Sequence, residues 1–227
     1  LEQLATVHVL LGDLDLGVEV LVGFQFRRVS QRDARELHVF LRLGLDAPAG
    51  ARDAVDDLRG KLGAIAWSPD GSDIAFVSAA DPNDPSAGRL MLAPASGGAL
   101  RDLLPGYEGN VAHIGWQRPD FVMYIGDEGV STTFGKVRRD GAQQKTILAA
   151  GGAILTDFDL ARDGLSGAMI GSTPQHPPEV FLMKHGEPAP RRLTDSNPWL
   201  SGVRLAPQEV VKFRARDGLA LEGLLIR

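Results

Sequence analysis

Cysteine is absent from the 227 residues, which excludes disulfides, thiolate metal sites and a cysteine nucleophile. The absence is compatible with the cytoplasm, the compartment expected here, and equally with a bacterial periplasm. No run of about eighteen apolar residues occurs, so no membrane span is expected, and the first residues lack the basic-then-apolar layout of a signal peptide. Lys and Arg are scattered rather than gathered in a stripe, and the net charge is -5, so a nucleic-acid partner is not expected either. What remains is 44% hydrophobic and 23% charged, the balance of a chain that folds around a core.

Residues 1 to 60 differ from the rest in containing no Lys, Ile, Asn, Tyr, Trp or Met. Val7 to Leu10, Val18 to Val22 and Leu37 to Leu41 alternate with the period of a strand. Two readings of this segment stand: an extra blade of the repeat that follows it in the chain, or a stretch translated from the wrong frame or strand of a G/C-rich gene. The chain begins at Leu1 and stops within the strand-like Leu224-Leu225-Ile226-Arg227, and it is expected to be a fragment.

From Lys61 onward, strands of four to eight residues are separated by Gly, Pro, Asp and Asn, with almost no helical periodicity, so an all-β fold is expected. One unit has strands at Ala64 to Trp67, Asp73 to Ser78, Arg89 to Ala93 and Ala99 to Leu104. A second has them at Val111 to Trp116, Phe121 to Gly126, Thr133 to Arg138 and Gln144 to Leu148. A third has them at Leu155 to Leu160, Ser166 to Ser172, Glu179 to Lys184 and Arg191 to Thr194. Trp67, Trp116 and Phe158 stand at or near the end of the first strand of each unit, spaced by 49 and 42 residues, a repeat of the length of a β-propeller blade. These three aromatics are expected to be buried between blades. A twisted four-stranded sheet has two faces to bury, each against a neighbouring sheet, so an arc of three blades leaves its terminal faces open.

Ile65-Ala66-Trp67-Ser68-Pro69-Asp70-Gly71-Ser72-Asp73-Ile74-Ala75-Phe76 resembles the repeat of TolB-like propellers and of prolyl oligopeptidase relatives. Pro69 presets φ for a turn, Gly71 accepts positive φ, and Ile74 with Phe76 shares one face of the returning strand. Further along, Ser172 to Leu182, Arg192 to Leu200, Glu209 to Phe213 and Asp217 to Gly223 resemble, in that order, the propeller-to-hydrolase junction of acylaminoacyl-peptidase-like and dipeptidyl-peptidase-like enzymes. Pro177-Pro178 is expected just before a strand, Asn197-Pro198 breaks the sheet, and Glu209 to Arg214 with Leu219 to Ile226 forms a hairpin around Arg216-Asp217-Gly218. The domains expected are thus 1–60 uncertain, 61–194 propeller blades, 195–208 linker and 209–227 the start of an α/β-hydrolase domain.

The resemblance implies a serine-type oligopeptidase for the whole protein, with no cofactor and no metal, and with peptide substrates handled by a catalytic domain beyond Arg227. The chain itself carries no G-x-S-x-G nucleophile elbow. Gly164-Leu165-Ser166-Gly167 has the wrong spacing, and Ser166 is expected to be an ordinary strand residue. His8, His38, His113, His176 and His185 show no metal-ligand spacing, and Asp81-Pro82-Asn83-Asp84-Pro85-Ser86 lacks the Gly and terminal Glu of a calcium loop. Arg191-Arg192 and Asp127-Glu128 are charge pairs read as solvated blade edges, with capture of a peptide terminus as the sharper alternative. No catalytic, cofactor-binding or metal residue is therefore assigned. The chain is expected to gate substrates without cleaving them. The alternative is a TolB-like module that binds a protein and has no enzymatic activity; the Asn197-Pro198-Trp199 linker and the Asp217-Gly218 hairpin favour the first.

Overall fold

The computed structural model describes residues 60–83 and 86–227; the strand expectations within residues 1 to 59, with His8 and His38, lie outside them. The described residues form β-structure throughout, relieved by one 3-10 turn at Pro198–Gly202, and none of their helices is long and apolar enough to cross a membrane.

Three consecutive four-stranded antiparallel meanders follow one another. The first comprises β1 Leu62–Trp67, β2 Asp73–Ala79, β3 Gly88–Pro94 and β4 Arg101–Asp102. The second comprises β5 Asn110–Gln117, β6 Phe121–Glu128, β7 Ser131–Arg138 and β8 Lys145–Leu148. The third comprises β9 Ile154–Leu160, β10 Ser166–Thr173, β11 His176–Lys184 and β12 Arg191–Arg192. A separate hairpin, β13 Gln208–Arg214 with β14 Ala220–Ile226, comes last. This is part of a β-propeller, as the forty-residue repeat implied.

Strand alternation decides what each sheet touches. On the second sheet Val122, Tyr124 and Val137 pack with Ala75, Val77, Leu90, Leu92, Leu103 and Leu104 of the first. The intervening residues Met123 and Ile125, with Phe134, pack instead with Leu155, Phe158, Met169, Phe181 and Met183 of the third. A strand buried on both faces needs apolar residues at consecutive positions, which is why Phe121 to Ile125 reads as an unbroken apolar run rather than an alternation.

Polar bonds fasten the same seams. Arg139 Nη1 crosses to Asp70 Oδ2 at 3.0 Å and Asp73 Oδ2 at 3.2 Å on the first sheet. Toward the third sheet, the Gln117 amide donates to Gly164 O at 2.7 Å and Leu155 N–H donates to the Thr132 hydroxyl at 2.8 Å. The Ser68-Pro69-Asp70-Gly71 turn holds itself: Gly71, at φ 70°, donates to Ser68 O at 2.9 Å, and the hydroxyls of Ser68 and Ser72 donate to Asp70 Oδ1. Those donors, Ser68 foremost, hold the Asp70 carboxyl well below the usual carboxylate range.

Three expectations need correction. Of the three aromatics only Phe158 is buried; Trp67 and Trp116 are half-buried. Trp116 packs against the apolar cluster of the first seam and donates its indole N–H to Ala66 O at 3.0 Å, so its polar edge is used as a link between sheets. The outermost strands β4 and β12 are only two residues long, which leaves little unpaired strand edge on that side of each sheet. Pro177-Pro178 lies inside β11, at the place where its register with β10 slips, and a missing N–H costs no ladder bond there.

Candidate functional site

The hairpin doubles back onto the second sheet at a place made for it by glycine. Gly129 turns β6 into β7 at φ 59°, and a Cβ there would lie 1.7 Å from Glu222 Oε1 on β14. With no Cβ in the way, Glu222 Oε1 accepts the Val130 N–H at 3.0 Å, while its other oxygen lies 3.8 Å from Lys212 Nζ, the residue paired with it across the hairpin.

Beneath this contact lies a cavity of about 870 Å³, lined by the loop from Leu104 to Gly109, by Glu128, Gly129 and Gln144, and by hairpin residues including Lys212, Phe213, Arg214 and Glu222. Tyr107 is its organising side chain. Its hydroxyl donates to Glu128 Oε1 at 2.9 Å, Thr133 donates to the same oxygen at 3.0 Å, and its ring meets Tyr124 edge-on at 6.0 Å. The approach requires Gly126, where a Cβ would stand 2.0 Å from the Tyr107 hydroxyl. Burial, more than the nearby Glu128 carboxylate, pushes the Tyr107 phenol far above its usual range, so it remains a neutral donor. Of the charged groups lining the cavity, Lys212 is paired with Glu222, Glu128 accepts from Tyr107 and Thr133, and Arg214 donates to Gly218 O at 2.9 Å. Among the described residues no serine or threonine hydroxyl is hydrogen-bonded to a histidine, and no group of three or more His, Asp or Glu is placed to hold a metal. Among the described residues, then, no hydroxyl–histidine pair of the kind that activates a serine or threonine nucleophile is formed.

A second polar cluster closes the third sheet. Glu179 on β11 is 2% exposed, yet it is a carboxylate. It is satisfied by the Thr194 hydroxyl, by the Ser196 N–H at 2.7 Å and by the Ser196 hydroxyl at 3.2 Å, while Thr194 in turn accepts the Val180 N–H at 2.9 Å. The segment that leads to the 3-10 turn and the hairpin is thereby bound to the last sheet. These donors, Thr194 first, lower the Glu179 carboxyl below its usual range. A carboxyl lowered on folding contributes stability above its unfolded pKa of about 4.3 and loses that contribution as pH falls through the folded value. Glu179→Gln is accordingly expected to flatten the loss of thermal stability between neutral and acidic pH, read as melting temperature against pH; an unchanged slope would show that Glu179 is not a source of the acid sensitivity.

The residues singled out in the sequence are dispersed. Ser166 is a half-buried strand residue opposite Lys184. His113 bonds Asp157 at 3.0 Å and lies edge-on to Phe158, His176 contacts the Pro177 carbonyl at 2.8 Å, and His185 follows β11. Asp127 accepts the Asn110 amide at 2.8 Å and Glu128 holds Tyr107, so that charge pair is engaged internally; Arg192 pairs with Asp195 at 3.3 Å. Within the Asp81 to Ser86 loop, Asp84 and Pro85 lie outside the described residues, and Asp81 caps the Asn83 N–H at 2.8 Å. Neither Tyr107 nor Glu179 was singled out from the sequence. The only local signals were the glycines around Tyr107 and a lone acid after Pro177-Pro178.

No family model and no curated protein sequence matches the chain. Among solved structures it is similar to the Pyrococcus horikoshii acylaminoacyl peptidase, with 20% identity over 73% of this chain and 25% of that one, at a TM-score of 0.54. It is similar to a variant of the AtxE2 isopeptidase with Astexin3-dC4 bound, with 18% identity over 71% of this chain and 25% of that one, at a TM-score of 0.57. An acylaminoacyl peptidase in complex with Z-Gly-Gly-Phe-chloromethyl ketone matches with 21% identity over 70% of this chain and 24% of that one, at a TM-score of 0.53. The chain spans about a quarter of the length of each. At these identities the likeness shows the fold, a part of a β-propeller.

Proposed function

We propose that this chain is the substrate-gating propeller portion of a serine-type oligopeptidase, with the nucleophile supplied by another part of the polypeptide. One observation carries the reading. The hairpin follows the last sheet in the chain and is anchored to the second sheet by Glu222, with apolar side chains uncovered on both of its faces: Val210 is 51% exposed, Phe213 53%, Leu224 52% and Ile226 61%. Nearby, Trp199 is 64% exposed. A free-standing binding propeller has no use for such a strand pair, whereas a strand pair that opens a second domain would have these side chains covered. The similarity to structures of an acylaminoacyl peptidase and an isopeptidase supports this reading, as do the absence of a hydroxyl–histidine pair among the described residues and the anchoring of the linker through Glu179.

In this function the propeller excludes folded proteins by size and admits short peptides, so that specificity arises partly from access. The chain by itself is expected to give no turnover of N-blocked chromogenic peptides. Expressed together with the coding sequence that follows it in the same frame, it is expected to hydrolyse them, to lose that activity to a serine-directed phosphonate, and to leave a folded protein bearing the same cleavable sequence intact. A longer product with no phosphonate-sensitive turnover would refute the reading.

A further inference from the structure

A cleft of about 290 Å³ opens between the second and third sheets, separate from the hairpin cavity. Its floor is apolar and adaptable: Met123, Phe134, Met169 and Met183 are all at least nine-tenths buried. Thioether side chains of this kind accommodate flexible apolar ligands. Its mouth is basic. Lys136 on β7 and Lys145 on β8 are directly opposite each other in the register, and both line the cleft. Lys136 is also opposite Met123 on β6, which places both lysines on the face toward the third sheet.

Two like charges directly across a ladder are destabilising, whereas an opposite-charge pair at the same places would be stabilising. Here, among the described residues, neither ammonium has a carboxylate partner. Lys136 is held 4.5 Å from the centre of the Phe121 ring, and Lys145 is exposed. The other charged groups at the mouth are His185, Lys184 and Glu187, whose carboxylate accepts the Lys184 N–H at 2.8 Å. An unneutralised lysine pair above an apolar floor is complementary to a ligand with one anionic head and a flexible apolar tail.

We propose that this cleft binds a medium-chain aliphatic carboxylate, with the tail on the methionine floor and the head between Lys136 and Lys145. The carboxylate would accept charge-assisted bonds from both ammoniums and relieve their repulsion. The site is independent of the peptidase reading, being built wholly from residues 117 to 187.

The test is titration calorimetry of decanoate, kept below its micellar concentration, into the full chain. One saturable site is expected, with 1-decanol, which has the same tail and no charge, at least about tenfold weaker. Lys136→Met is expected to weaken decanoate by about tenfold and Lys136→Arg by much less, while Lys212→Met, outside the cleft, leaves it unchanged. Lys145→Met, at an exposed position, is expected to repeat the loss and serves as the second variant should Lys136→Met disturb the fold, which circular dichroism reports. Absence of saturable binding, equal affinity for decanol, or undiminished affinity in both folded lysine variants would overturn the proposal.

Discussion

Phe158→Ala is expected to remove about 3–5 kcal/mol of stability, the usual cost of emptying a buried aromatic site. Phe158 is 6% exposed and belongs to the seam between the second and third sheets. Its ring meets Phe134 and His113 edge-on, each at 5.0 Å between centroids, and one edge would lie 3.0 Å from a Cβ placed on Gly115. The ring thus fills a socket shaped by three neighbours on the opposing sheet, and these neighbours belong to strands that cannot move inward without breaking their own ladders. The cavity would persist. A fall of roughly 10 °C in melting temperature follows for a domain of this size, and hydrogen exchange should show third-sheet amides losing protection before those of the first sheet. Phe158→Leu, which keeps most of the volume, should cost much less. A melting temperature within a degree or two of the parent for Phe158→Ala would mean that the third sheet does not depend on this seam.

The second large effect is expected from overfilling rather than emptying. Gly88 begins β3 close against β5, and a Cβ there would lie 2.6 Å from Val77 Cγ1, 2.7 Å from Val111 O and 3.1 Å from Asn110 Oδ1. The Val77 side chain can rotate away; the Val111 carbonyl is backbone of the neighbouring sheet and cannot. Gly88 N–H also donates to Asn110 Oδ1 at 2.8 Å, and Asn110 in turn donates to Asp127, so one chain of bonds joins the two sheets. Gly88→Val should push the sheets apart, at a cost of about 1–3 kcal/mol for the overlap and about 1 kcal/mol for the bond. Gly152→Val, where nothing lies within 4 Å of the added Cβ, is the matched control and should be near neutral apart from a small conformational term. Equal melting temperatures for the two variants would show that the approach at Gly88 is looser than its geometry implies.

The contrast between these glycines marks where reading the sequence stops. Gly71 was legible, because Ser68-Pro69-Asp70-Gly71 is a turn whose chemistry is local: the φ of 70° and the bond to Ser68 O involve only adjacent residues. Gly88, Gly115 and Gly126 were silent, because what they make room for is a carbonyl, a ring or a hydroxyl that arrives from another strand or sheet. The same division separates the hairpin from its anchor. The alternation of Glu209 to Arg214 and of Leu219 to Ile226 around Arg216-Asp217-Gly218 announced two paired strands, but Glu222 appeared as one more polar residue on them. Its bond to Val130 is 92 positions away in the chain.

Strand order, the three meanders and the placement of turns were therefore determined by the sequence alone, since hydrogen-bond ladders between neighbouring strands and turn φ values depend on residues a few positions apart. The aromatic repeat was legible as a period and misread as uniform burial: the three positions are equivalent along the chain, but each sheet meets different neighbours. Only the tertiary structure decided that Trp116 links sheets through its N–H, that Tyr107 and Glu128 share a cavity, that Glu179 binds the linker, and that Lys136 and Lys145 face each other over methionines. Those outcomes turn on which face of a strand meets which neighbour. A single bulge, such as the one between Val111 and His113 on β5, reverses that assignment without any mark in composition or period.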